Sequence, residues 1–171
     1  MRIGGVSGRF GIQIPFGKKY PDMRIVLLAI FTLFAVQTPA LAGESLVVKT
    51  SPYSVKKTID RLETIFNKKG ITVFARVEHA AGAAKAGKTL PPTELIILGN
   101  PKLGTPLMKS SRKTGIALPL KVLAWREDGK VKPAYTKPAR LAQRYGVVDR
   151  DPVIQKIIGA LNNLTNAAIK K

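Results

Sequence analysis

The sequence contains no cysteine and a single histidine, His79. Without thiols there is no disulfide framework, zinc–thiolate site, iron–sulfur cluster or covalent c-type haem attachment. Acidic residues are scarce as well. Ten Asp+Glu stand against 29 Lys+Arg, giving a formal charge of +19, an excess that points to nucleic acid, anionic lipid or another acidic partner. No apolar run reaches the roughly 18–20 residues that span a bilayer, and no period of roughly 20–50 residues marks a repeat array. At 171 residues one core is expected, because burial becomes inefficient as domains shrink.

What the chain does have near its start is an export signal. Met23-Arg24 precedes an apolar run of 12 residues, Ile25 to Val36, followed by Gln37-Thr38-Pro39-Ala40-Leu41-Ala42. Arg24 holds the start on the cytoplasmic side, the run forms the short translocating helix, and the small pair Ala40 and Ala42 fits a signal peptidase. Cleavage is expected after Ala42. Residues 1–22 show neither helical nor strand periodicity and read as a long n-region or an early start. Loss of residues 1–42 removes five basic residues and one acidic one, leaving 24 against 9, or +15. A periplasmic or secreted location follows. With no nucleic acid expected there, the charge turns to anionic lipid, polysaccharide, acidic protein or a small anion, or reflects an unusual external medium.

Residues 43–171 read as a single α+β domain. Ser45–Thr50 is a short strand, and Ser54 caps a helix in which Val55, Ile59, Leu62 and Phe66 recur at helical spacing. Ile71–Glu78 alternates, with Ile71, Val73, Ala75 and Val77 on one face. A loop or weak helical turn, Ala80–Pro92, leads to Thr93–Leu98, apolar on both faces and so central in a sheet. Asn100-Pro101 and Thr105-Pro106 each resemble a cap followed by proline, predicting a short, broken helix. Leu120–Arg126 and Val131–Tyr135 are strands joined by a tight turn at Asp128-Gly129. A short helix over Pro138–Tyr145 and a longer one over residues 151–170, capped at Asp151-Pro152, complete the chain.

The stretches Glu78-His79-Ala80-Ala81, Leu90 to Leu95, Gly99-Asn100-Pro101-Lys102-Leu103-Gly104-Thr105-Pro106-Leu107-Met108, Leu118 to Trp125 and Asp128 to Val131 together resemble the family known as domain of unknown function 302. The block at 99–108 is the most specific part, and the resemblance covers about residues 51–146. It implies a compact α+β domain with a mixed, largely antiparallel sheet packed on helices, commonly a homodimer, and carries no catalytic residues across. Pro133 departs from the pattern and implies an edge strand or a bulge. The basic Arg112-Lys113-Thr114-Gly115 stretch is a second departure.

Several constellations bear on function. Gly99 to Thr105 resembles a phosphate-cradling loop, but the phosphate-binding lysine is missing and Pro101 and Pro106 remove donors. A weaker anion site survives, with Lys102 and the amides near Gly104 and Thr105 as donors; the alternative is a plain strand-to-helix turn. Lys109, Arg112 and Lys113 extend this basic surface. His79 and Met108 form a pair that haem iron or copper would accept, with Met108 otherwise a core residue. As an acid or base, His79 needs a partner, and Glu94 suits better than the adjacent Glu78. Asn100 completes this second candidate pocket. Trp125 and Tyr135, on paired strands, offer a stacking surface or simple cross-strand packing. No Ser-His-Asp set is identifiable. The leading expectation is a non-enzymatic, dimeric binding or interaction module whose basic surface at 102–113 meets an anionic ligand, lipid or protein. The alternative is a His79-centred enzyme or a redox, metal or haem accessory protein. No cofactor is named by the residues themselves.

Overall fold

A computed structural model describes residues 45–171; the expected signal segment and the extension before it lie outside the described residues. The elements run β1 (Leu46–Val48), α1 (Val55–Lys68), β2 (Thr72–Glu78), α2 (His79–Lys85), β3 (Thr93–Gly99), α3 (Pro101–Ser110), a 3-10 helix (Arg112–Ile116), β4 (Leu120–Glu127), β5 (Lys130–Thr136), α4 (Pro138–Tyr145) and α5 (Asp151–Ile169). The strands form one sheet in the order β1-β5-β4-β3-β2. Every pairing is antiparallel, so the expected α+β class holds and the mixed sheet becomes a wholly antiparallel one.

The helices follow from local chemistry. Ser54 Oγ accepts the Lys57 amide at 3.2 Å and opens α1. The expected stripe then points at the sheet: Ile59, Leu62 and Phe66 have no exposed surface, and burial of such side chains is worth about 1.5–3 kcal/mol each. From α5, Ile154, Ile157, Leu161 and Ala168 enter the same core. The buried Thr165 joins them. Its hydroxyl donates to the Leu161 carbonyl at 2.6 Å. Arg150, not Asp151, occupies the cap position of α5, and Asp151 and Pro152 are its first two residues.

Four local expectations are revised. A β-bulge between Val73 and Ala75 resets the alternation of β2, so Arg76 pairs with the buried Ile96 on the helix-covered face. Ala75 and Val77 then lie on the outer face, opposite the prediction from strict alternation. Second, α3 runs unbroken through Pro106, and the Pro106 carbonyl accepts Arg150 Nε at 3.3 Å. Third, Pro133 sits in β5, which is flanked by β1 and β4 and is no edge. Its carbonyl accepts the Lys49 amide at 2.9 Å. Because the N–H and C=O of a residue in an antiparallel ladder point the same way, the missing donor faces short β1 and spares the β4 ladder. Fourth, Trp125 pairs with Lys132 on the outer face, whereas Tyr135 is buried under the helices, so the two rings do not pack together. The hairpin forms as expected, with Asp128 at φ 49° and Gly129 at φ 72°. Glycine meets that left-handed requirement without strain.

Candidate functional site

At the end of the sheet where β3 leaves and β4 enters lies a cleft of about 690 Å³. Its floor is sheet: Leu98, Gly99 and Leu120. One wall is α3, with Leu103, Gly104 and Met108; the opposite wall is α5, with Ile157, Ala160, Leu161 and Leu164. Phe74 stands at the rim, 56% exposed. The bulge in β2 puts it there.

Close approach explains Gly99. A β-carbon at this position would lie 3.0 Å from Phe74 Cε2 and 3.5 Å from Pro119 Cβ, so any larger residue displaces the ring. Asn100 then turns the chain into α3: its Oδ1 accepts the Lys102 amide at 2.9 Å, and its carbonyl accepts the Leu103 and Gly104 amides, each at 2.9 Å. The block from Gly99 to Met108 is therefore a close-packed strand-to-helix turn that shapes the cleft. Its amides at 102 and 104 already have acceptors within the turn.

The polar lining is sparse. Asn100, Thr105 and Asn163 contribute amide and hydroxyl groups, and the charged groups are Lys69 and Lys156. No aspartate, glutamate or histidine lines it. Of the residues expected in the two candidate sites, Asn100, Gly104, Thr105 and Met108 come together here. Lys102, Lys109, Arg112 and Lys113 stay on the exposed surface of α3 and the 3-10 helix that follows it.

His79 and Glu94 are placed elsewhere. His79 is exposed at the start of α2, five residues beyond Phe74 along β2, or roughly 16 Å of extended chain. Met108 is thus at one end of the sheet and His79 at the other. Glu94 is 5% exposed and held by Arg76, with Nε–Oε1 at 2.7 Å and Nη2–Oε1 at 2.5 Å. Arg76 Nη1 also meets Asp60 Oδ1 at 2.9 Å and Glu63 Oε2 at 2.8 Å. Burial favours the neutral guanidine, but the bonds to Glu94, Asp60 and Glu63 outweigh it and raise the pKa of Arg76. Arg76 thus stays charged, and the cluster pins β2 and β3 to α1. Among the described residues no group of three or more His, Cys, Asp or Glu is arranged to hold a metal ion.

The α5 wall, Phe74 and the two lysines escaped sequence reasoning. A stripe on a helix says that a face is covered, not that part of it borders open space. Phe74 offered a signal in retrospect: a large aromatic on the polar phase of an alternating strand marks a bulge or an exposed site.

Fold and cleft together define a small α+β domain with a helix-covered antiparallel sheet and an apolar cleft at one sheet end. The chain belongs to the family described as Domain of unknown function DUF302, whose model matches residues 47–164. A crystal structure of an uncharacterized conserved protein DUF302 from Bacillus stearothermophilus has the same fold, with a TM-score of 0.61 at 20% identity over 74% of this chain and 97% of that one. Among curated proteins, the fluoride-specific ion channel FluC 1 of Brucella suis biovar 1 (strain 1330) is 41% identical over 131 residues, 75% of this chain and 52% of the relative. FluC 1 of Brucella abortus biovar 1 (strain 9-941) has the same identity and is covered over 48% of its length. The chain spans about half the length of these curated relatives.

Proposed function

We propose that the domain is an exported, non-catalytic binding module and that the cleft between α3 and α5 is its binding site. The observation that carries this reading is the lining. The cleft is within the roughly 300–1,000 Å³ typical of small-molecule sites and mostly apolar with a few polar groups, yet it holds no carboxylate or imidazole to move a proton. The exposed cations Lys102, Lys109, Arg112 and Lys113 flank it on the same chain segment and raise the local concentration of anions. The full-length protein should therefore enhance the fluorescence of anilinonaphthalene sulfonate, and filling the cleft with Thr105→Trp should remove that signal. Equal dye binding by the folded variant would overturn the assignment. Export is tested separately by sequencing the N-terminus of protein recovered from a periplasmic fraction, where Gly43 is the expected first residue.

The homodimer reading draws on the outer face of the sheet. Val48, Ala134, Leu123, Leu95 and Val77 form one uncharged row across all five strands, an apolar stripe on which two copies can pack. Sedimentation should show a dimer that Leu95→Lys with Leu123→Lys converts to monomer; a monomeric unmodified protein would remove this reading. For the fluoride-channel relatives, we assign ion conduction to the half of their length that the chain does not match. Among the described residues no helix is long and apolar enough to cross a membrane.

A further inference from the structure

Taking the cleft as the binding site, we infer that its ligand is a long-chain carboxylic acid, with the alkyl chain between α3 and α5 and the carboxylate at Lys69 and Lys156. Three observations converge on this class. The first is the lack of an array that would recognise a polar ligand. Asn100 is engaged within its own turn, and only Thr105 and Asn163 remain among uncharged polar side chains. Such a wall gains by taking hydrocarbon out of water, and the flexible Met108 adapts to a chain of variable shape.

The second is the sign of the charge. Lys69 and Lys156 are the charged lining residues, and no acidic side chain lines the cleft. Among the described residues neither ammonium has an ion-pair partner.

The third is where those lysines lie. Helices α1 and α5 run antiparallel: Arg61 Nε donates to the Ala168 carbonyl at 2.6 Å, and Tyr53 Oη to the Lys170 carbonyl at 2.9 Å, tying the start of α1 to the end of α5. The other end of the pair therefore brings Lys69, just past α1, toward Lys156, in the second turn of α5. Both positive charges belong to the lining of one apolar cleft, which suits a single anionic head with one tail.

The test compares dodecanoate with dodecanol by isothermal titration calorimetry on the full-length protein near neutral pH. The acid should bind about tenfold more tightly than the alcohol, a factor equal to about 1.4 kcal/mol shared between two exposed charge contacts. Lys69→Glu with Lys156→Glu should abolish the preference. Thr105→Trp, or Ala160→Trp if the first variant is unfolded by circular dichroism, should weaken both ligands. Equal affinity for acid and alcohol, both lost on plugging the cleft, would overturn the carboxylic-acid inference and leave the cleft as the binding site. Binding that plugging does not touch would overturn the cleft reading itself. Failure of dodecanoate to bind would also reject the inference.

Discussion

Arg76 Nε lies 2.7 Å from Oε1 of Glu94, a carboxylate otherwise shut away beneath α1. Removing the guanidinium would leave that charge buried without a partner. Arg76→Met should therefore cost about 3–5 kcal/mol, read as a lower urea midpoint. Replacing both residues, as Arg76→Met with Glu94→Leu, should recover most of the loss, because an apolar pair of similar volume needs no desolvation of charge. If the double variant is as unstable as the single one, the ion pair is not what the fold depends on here.

Asp60 gives the same cluster a pH dependence. Desolvation pushes its pKa up, but the bonds to Arg76 and Lys56 outweigh that and hold it below its ordinary value of 3.8. A depressed carboxylate contributes stability that is full above the unfolded pKa and is lost as pH falls through the folded one. Urea midpoints should accordingly drop below about pH 4, and Asp60→Asn should flatten part of that acid limb. Parallel curves for the two proteins would assign the acid sensitivity to other groups.

Gly99 and Phe74 couple sheet geometry to the cleft. Gly99→Ala places a methyl group 3.0 Å from the ring, and because the ring is exposed it can swing away. Stability should change by no more than about 1 kcal/mol, at the low end of overpacking costs, while dodecanoate affinity shifts measurably in calorimetry. Unchanged affinity would show that Phe74 does not contact the ligand.

Lys49 ties β1 to α5. Its Nζ reaches the Asn162 carbonyl at 2.9 Å, Asn162 Oδ1 at 2.9 Å, Thr165 Oγ1 at 2.7 Å and Asn166 Oδ1 at 2.6 Å, and burial lowers its pKa. Lys49→Met should lose about 1–2 kcal/mol, since hydrogen bonds to a charged donor are worth more than neutral ones but the exposed asparagines rehydrate. Hydrogen exchange should then accelerate at the amides of residues 49 and 51, which bond the Pro133 and Val131 carbonyls, before the central strands, because the edge strand loses its tether.

Much of this architecture was legible before any coordinates. Periodicity located α1 and α5, turn chemistry located the hairpin, and Ser54 and Asn100 announced their helices, because each is decided by residues a few positions apart. Within the block from Gly99 to Met108, Asn100, Gly104, Thr105 and Met108 line the cleft, four of the ten candidate site residues. Glu94 suited His79 only as a carboxylate on the next strand. Arg76 already occupies Glu94, and that depends on a one-residue bulge that no period-two count reveals.

By itself the sequence determined the elements, their order, the basic character of the surface and the family to which the chain belongs. Those properties arise from local conformational preference and composition. Tertiary structure alone decided which side chains share a site. Lys69, Phe74, Met108 and Lys156 are brought to one cleft by sheet register, a bulge and the antiparallel packing of α1 on α5, all of which depend on contacts between residues far apart in the chain.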